Sequence, residues 1–326
     1  MFCSLAPMTI PFKKLLTKQF AWLLWLCVSY SVAAAQSPDF TAWQKNKACM
    51  AWVDSVYNVL TPEERIGQFF MLPAYTQGKD YNMDSVLSQV KRGVAGGVIF
   101  FKGNPTAQVQ WTQKIQDSAK VNSFIAIDGE WGLAMRVDST VTFPKQIALG
   151  ALQNNELIYE MGREIARECR RMGIQINFAP DVDVNNNPNN PVINDRSFGE
   201  NKYKVALKGI EYALGMQDEG VLACAKHFPG HGDVEVDSHK DLPVIGKSVG
   251  SMDSLELFPF KVLFNNKVGS AMVAHLNIPA MDTAQGSAAS LSRKIATDWL
   301  RDSLGFKGLV FSDALNMKGV SKYYKP

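Results

Sequence analysis

Short apolar runs alternate with stretches of helical period along most of the chain. The runs fall at residues 69–74, 97–101, 124–127, 174–178, 221–225, 271–274 and 309–311. Each is nearly continuous in apolar or β-branched residues, as strands covered on both faces of a parallel sheet are. Between them, residues 157–172 and 205–218 carry apolar positions at helical spacing. Residues 52–70 read as helix, with Thr61-Pro62-Glu63-Glu64 supplying an N-cap followed by proline at the first helical position.

Alternating strands and helices place the chain in the α/β class, as a doubly wound open sheet or a closed barrel. The distribution of polar residues favours the barrel. Asp128 and Glu130 follow the third run, Asp181 and Asp183 the fourth, Lys226 and His227 end the fifth, His275 and Asn277 follow the sixth, and Ser312 and Asp313 the seventh. One crevice fed by consecutive strand ends is the carboxyl-end face of a (β/α)8 TIM-type barrel, whereas an open sheet concentrates its site at a switch point. Seven strands leave two unpaired edges, so the expectation is a barrel truncated after its seventh strand, or one piece of a longer protein. The expected organisation is a signal peptide at 1–35, a polar and helical lead-in at 36–60, and the barrel at 61–326.

The signal peptide rests on Lys13, Lys14 and Lys18, the apolar run 20–32, and Ala33-Ala34-Ala35 as a cleavage site. The run falls short of the roughly 20 residues that a spanning helix needs, and Trp25-Leu26 before Cys27 does not suit a lipoprotein signal. Export to the periplasm or medium is therefore expected, with no stable membrane span. Removing this segment takes away three lysines and no acids, so the formal charge of +3 falls to zero; no nucleic-acid partner is indicated. Cys49, Cys169 and Cys224 are too scattered for a disulfide framework or a zinc motif.

All four histidines, His227, His231, His239 and His275, lie between positions 227 and 275, and the first three occur in a Pro/Gly-punctuated segment that begins at Lys226. A metal site is one reading, but no helix-borne pair of the HExxH kind occurs. An acid/base dyad is another: in Asp237-Ser238-His239 an extended backbone would project both side chains to one side, where a carboxylate fixes the imidazole tautomer and stabilises its charged form. Asp313 closes the apolar stretch Gly308-Leu-Val-Phe-Ser. A catalytic carboxylate at a strand tip and a helix N-cap both fit it.

Lys-His-Phe-Pro-Gly-His-Gly-Asp at 226–233, Asp-Ser-His at 237–239, Asn-Asn-Pro-Asn-Asn-Pro-Val-Ile-Asn-Asp-Arg-Ser-Phe-Gly at 186–199 and Phe-Ser-Asp at 311–313 together resemble the motifs of family 3 glycoside hydrolases, in order, over most of the chain. The resemblance implies Asp313 as nucleophile and, by the Asp-Ser-His match to the β-N-acetylhexosaminidase branch, His239 as proton donor with Asp237 as its partner. It implies sugar binding by Asp128, Arg136, Arg196, Lys226 and His227, with His231 and Asp233 shaping the loop. Trp131 and Met135 depart from the more polar run expected after the third strand. With His in place of the usual second carboxylate, the roughly 5 to 5.5 Å carboxyl separation of retaining enzymes is not expected.

The function so implied is a retaining exo-β-N-acetylglucosaminidase acting on peptidoglycan fragments or chito-oligosaccharides, without metal or cofactor. Partners are the amino-sugar oligosaccharide or muropeptide substrate and a possible C-terminal fused domain. The alternatives are a β-glucosidase or β-xylosidase of the same family, a GlcNAc phosphorylase, whose anionic acceptor a neutral imidazole would not repel, and a non-catalytic glycan-binding barrel.

Overall fold

The computed structural model describes residues 39, 40, 42 and 45–324, so the leader expected at 1–35 lies outside the described residues. Two helices, α1 (Lys47–Val59) and α2 (Pro62–Gly67), occupy the region expected as one. Proline lacks an N–H and disfavours helical geometry in the residue before it. Accordingly Leu60 and Thr61 are extended, and Thr61 and Glu64 close a reciprocal capping box at the start of α2.

The order continues β1 (Met71–Tyr75), α3 (Met83–Lys91), β2 (Gly97–Lys102), α4 (Pro105–Ser118), β3 (Phe124–Ile127), α5 (Gln146–Gly150), α6 (Glu156–Arg171), β4 (Ile176–Asn177), α7 (Lys202–Asp218), β5 (Leu222–Phe228), α8 (Val249–Ser254), α9 (Leu257–Asn265), β6 (Ser270–Val273), a π-helix (Lys294–Ser303), β7 (Leu309–Ser312) and α10 (Lys318–Ser321). The seven strands pair in parallel in chain order, with helices between them. This is the strand order of a (β/α)8-type barrel, as far as its seventh strand.

Strand alternation divides the core in two. Ala126, Ile176, Phe178, Leu222, Cys224 and Met272, with Met71, Ile99 and Phe311 against them, form an inner cluster enclosed by the sheet. The Phe178 and Phe311 rings meet edge to face there, with centroids 5.0 Å apart. The larger cluster lies between sheet and helices. The inner positions continue two residues on into Phe101, Asp128, Lys226 and Asp313. The same period that fills the barrel with apolar side chains therefore brings polar ones to its carboxyl end.

Cys169 and Cys224 are buried, where desolvation pushes both thiols up, that of Cys224 to about 12; Cys49 is exposed. Among the described residues no helix is long and apolar enough to cross a membrane.

Helices α6 and α7 pack through glycine. A Cβ on Gly215 would lie 2.1 Å from the Tyr159 carbonyl oxygen, and one on Gly162 would lie 2.5 Å from that of Tyr212. Gly215→Ala must push the helices apart, and we expect it to lower unfolding free energy by about 1–3 kcal/mol in urea titrations. Gly246→Ala, which meets nothing within 4 Å, should be near neutral; equal midpoints for the two variants would contradict the packing argument.

Candidate active site

The turn after β3 carries two carboxylates, Asp128 and Glu130, and its backbone is fixed by its neighbours. Asn177 on β4 accepts the Gly129 N–H at 2.8 Å and donates to the Gly129 carbonyl at 3.1 Å. From below, the Tyr212 hydroxyl of α7 lies 3.0 and 3.1 Å from the carbonyls of Gly129 and Glu130. With its backbone fixed in this way, the turn presents Asp128 and Glu130 to Lys226 of β5 and to Arg136 and Arg196 of the loops after β3 and β4.

Glu130 is fully buried. Its carboxylate takes a forked pair from Arg196, Nη2 at 2.7 Å and Nε at 3.0 Å, and a third contact from Lys226 Nζ at 2.8 Å. Lys226 also donates to Asp128 at 2.9 Å, and Arg136 reaches the other Asp128 oxygen at 3.1 Å. Burial opposes the charges of Glu130, Arg196 and Lys226, but the pairing outweighs it. Glu130 is held well below the usual carboxylate range by Arg196 and Lys226, and Lys226 is raised by Asp128 and Glu130. Arg136 stacks on Phe101 with its guanidinium carbon 5.0 Å from the ring centre, and Phe101 stacks in turn on Tyr75.

A second buried carboxylate, Asp183, braces the histidine loop. It accepts from His227 Nδ1 at 2.8 Å and from the His231 backbone N–H at 2.6 Å. His227 Nε2 faces Arg196 Nη2 at 3.2 Å, and since a guanidinium can only donate, the geometry assigns the Nδ1–H tautomer. Burial pushes Asp183 up, but His227 outweighs it and the carboxyl titrates below its ordinary value. Asp181, buried beside it, is pushed up by burial and by the Asp183 charge. The asparagine tract ties in here. Asn190 donates to the His231 carbonyl at 2.7 Å, and Asn186 donates to Asp233 at 3.1 Å. Lys247 closes the loop from the other side, 2.7 Å from Asp233.

Asp181, Asp183 and His227 offer ligand atoms within 4.8 Å of one another. The donor set fits a dication poorly. His227 and Asp183 already satisfy each other, and Arg196 places a fixed positive charge 3.7 Å from the remaining Asp181 oxygen. A surface groove of about 760 Å³ lined by Pro105, Val109, Leu133, Val141 and Met172 contains none of the residues that the sequence singles out.

Asp313 follows β7 on the same face. Burial raises its pKa, but His227, His275, the Ala314 N–H and Lys226 together outweigh burial, so the carboxyl sits below its ordinary value and is ionised at neutral pH. His275 holds this segment, with Nε2 2.9 Å from the Ala314 carbonyl and Nδ1 2.6 Å from Ser290 Oγ. Asp237-Ser238-His239 is a turn rather than the extended stretch expected from alternation. Asp237 Oδ1 accepts both the backbone N–H of His239 at 2.9 Å and its Nδ1 at 2.8 Å, closing a local ring that bends the chain. Burial raises Asp237, but the His239 hydrogen bonds outweigh it and lower its pKa. The turn meets the segment beyond Asp313 through backbone bonds, Gly319 N–H to the Ser238 carbonyl at 3.1 Å and Lys318 N–H to the His239 carbonyl at 3.4 Å.

The sequence profile described as "Glycosyl hydrolase family 3 N terminal domain" matches residues 61–326. The chain belongs to this family. It is 37% identical over 260 residues to a protein named beta-hexosaminidase A from Pseudoalteromonas piscicida, covering 73% of this chain and 44% of the relative. It is 31% identical over 281 residues to a beta-N-acetylglucosaminidase/beta-glucosidase from Cellulomonas fimi, covering 83% and 49%. Among solved structures, a family 3 beta-N-acetylglucosaminidase from Paenibacillus sp. str. FPU-7 superposes with a TM-score of 0.75 at 37% identity, covering 82% of this chain and 51% of that one. The chain thus spans about half the length of these relatives.

This family 3 domain brings Asp128, Arg136, Arg196, Lys226 and His227 into one network, with Asp313 at its edge, and places His239 and Asp237 on the adjoining turn. Glu130, Asp183, Ser238 and His275 were not singled out as site residues from the sequence. The signal for the first two was position: each stands two residues beyond another carboxylate past a strand end.

Buried His231 is pushed by desolvation and by His227 from 6.5 to about 4. Between those values the unfolded chain takes up a proton that the folded chain refuses, so stability is full above pH 6.5 and falls as the pH drops toward 4, by about 3 kcal/mol from this group. Urea midpoints measured across that window should slope in the native protein and flatten in His231→Gln. An equal slope in both would contradict the assignment.

Proposed function

We propose that the protein is a retaining, exo-acting β-N-acetylglucosaminidase that releases terminal GlcNAc from peptidoglycan fragments or chito-oligosaccharides after export from the cytoplasm. The observation that carries this reading is the pairing of His239 with Asp237 on a turn that meets the segment following Asp313. The Asp237 carboxylate accepts the hydrogen bond of the Nδ1–H, which leaves Nε2 of a largely exposed ring free for proton transfer.

In the first half-reaction the Asp313 carboxylate attacks the anomeric carbon while His239 Nε2–H protonates the departing glycosidic oxygen. In the second, the neutral Nε2 removes a proton from water as it attacks the same carbon and frees Asp313. Asp128, Arg136, Arg196, Lys226 and His227 hold the sugar; the Asp128 carboxylate accepts from its hydroxyls and the cations donate to them. The hexosaminidase and N-acetylglucosaminidase names of relatives more than 30% identical support the amino-sugar substrate.

The test is turnover of p-nitrophenyl-GlcNAc by the protein as its gene encodes it. Asp313→Asn should abolish turnover, and His239→Ala should lower it about 10²- to 10⁴-fold. No turnover, or turnover indifferent to Asp313→Asn, would contradict the reading. The double name of the Cellulomonas relative favours one further reading, a β-glucosidase. A preference for p-nitrophenyl-glucoside together with a harmless His239→Ala would select it.

A further inference from the structure

Ser238 stands between the two members of the proposed proton-transfer pair, and its surroundings are the reverse of theirs. The His239 side chain is 61% exposed, whereas Ser238 is 1% exposed. A hydroxyl taken into the interior is costly unless it is hydrogen-bonded, and this one lies 3.0 Å from Nε2 of buried His231. His231 does not float either. Its backbone N–H is fixed on Asp183 at 2.6 Å, the same carboxylate that orients the His227 ring.

The backbone of Ser238 is gripped from the opposite side. Its carbonyl accepts the Gly319 N–H, and a Cβ at position 319 would come within 2.8 Å of that oxygen and 3.1 Å of the Asp241 carbonyl oxygen. The approach therefore requires glycine six residues beyond Asp313. One buried side chain and two backbone oxygens, those of Ser238 and His239, thus fix a turn whose flanking side chains hydrogen-bond to each other.

We propose that Ser238 and His231 are positioning residues for proton transfer: their hydrogen bond sets where His239 stands relative to the segment that carries Asp313. The inference rests on the reading of His239 as the acid. The hydroxyl itself transfers no proton to substrate; it acts through the placement of the Asp237–His239 turn.

The test compares kcat/KM, which reports the first bond-breaking step, on two GlcNAc glycosides. The 2,4-dinitrophenyl glycoside departs without protonation, and the phenyl glycoside needs an acid. Ser238→Ala and His231→Phe should each lower kcat/KM on the phenyl glycoside about ten-fold, the weight of one hydrogen bond, and leave the dinitrophenyl glycoside nearly untouched. The double variant should be no worse than either single one, because both remove the same bond.

His239→Ala serves as the control and should show the same selectivity with a loss of about a hundred-fold. Equal losses on both glycosides, accompanied by a lowered melting temperature, would show that Ser238 and His231 only pack, and would overturn the proposal. So would additive effects in the double variant, or no effect at all. If His239→Ala itself lacks leaving-group selectivity, the acid assignment fails; if it shows selectivity and Ser238→Ala does not, only the positioning role fails.

Discussion

The structure depends on a carboxylate that cannot be left alone. Glu130 is fully buried at the carboxyl end of the barrel, where an unpaired charge would cost several kcal/mol, and Arg196 and Lys226 are brought to it from two other parts of the chain. Because Lys226 also serves Asp128, and Arg196 also faces His227, the four side chains at the heart of the sugar-binding proposal cannot move independently. Preorganised donors and acceptors of this kind keep their geometry without reorganising when a ligand arrives.

Asp183 plays the equivalent part for the histidine loop. It holds the His227 ring, on the side proposed to bind sugar, and the His231 backbone, beneath the proposed catalytic turn, so one buried carboxylate spans the two regions. Asp313 sits within the electrostatic reach of His227, His275 and Lys226, which together overcome its desolvation. The ionised state that a nucleophile needs is thus a consequence of the same network that would hold the substrate.

The strands were legible because each is a near-continuous apolar run, and residues 124–127 form β3 as read. The shortest ladder, β4, was read too long. Regular pairing spans only Ile176–Asn177, and just before it the side chain of Gln175 accepts the Ile125 N–H. The helix break at Leu60 and Thr61 was signalled by Pro62 and was nonetheless read through. The placement of Lys226, His227 and Asp313 at the carboxyl end of the barrel was legible, because residue type and strand-end position coincide there. Ser238 was opaque for a physical reason: a serine between two titratable residues looks like a spacer until folding buries it against His231. Glu130 was opaque in the same way, because its value is fixed by Arg196, 66 positions away.

The central claim is that Asp313 forms a covalent bond to the sugar while His239 serves proton transfer. Trapping answers it most directly: incubation with 5-fluoro-N-acetylglucosaminyl fluoride, followed by intact-mass measurement and peptide mapping. The account predicts an adduct of one fluorinated sugar per chain, carried by the peptide that contains Asp313. An adduct on another carboxylate, or sustained turnover with no adduct, would contradict it.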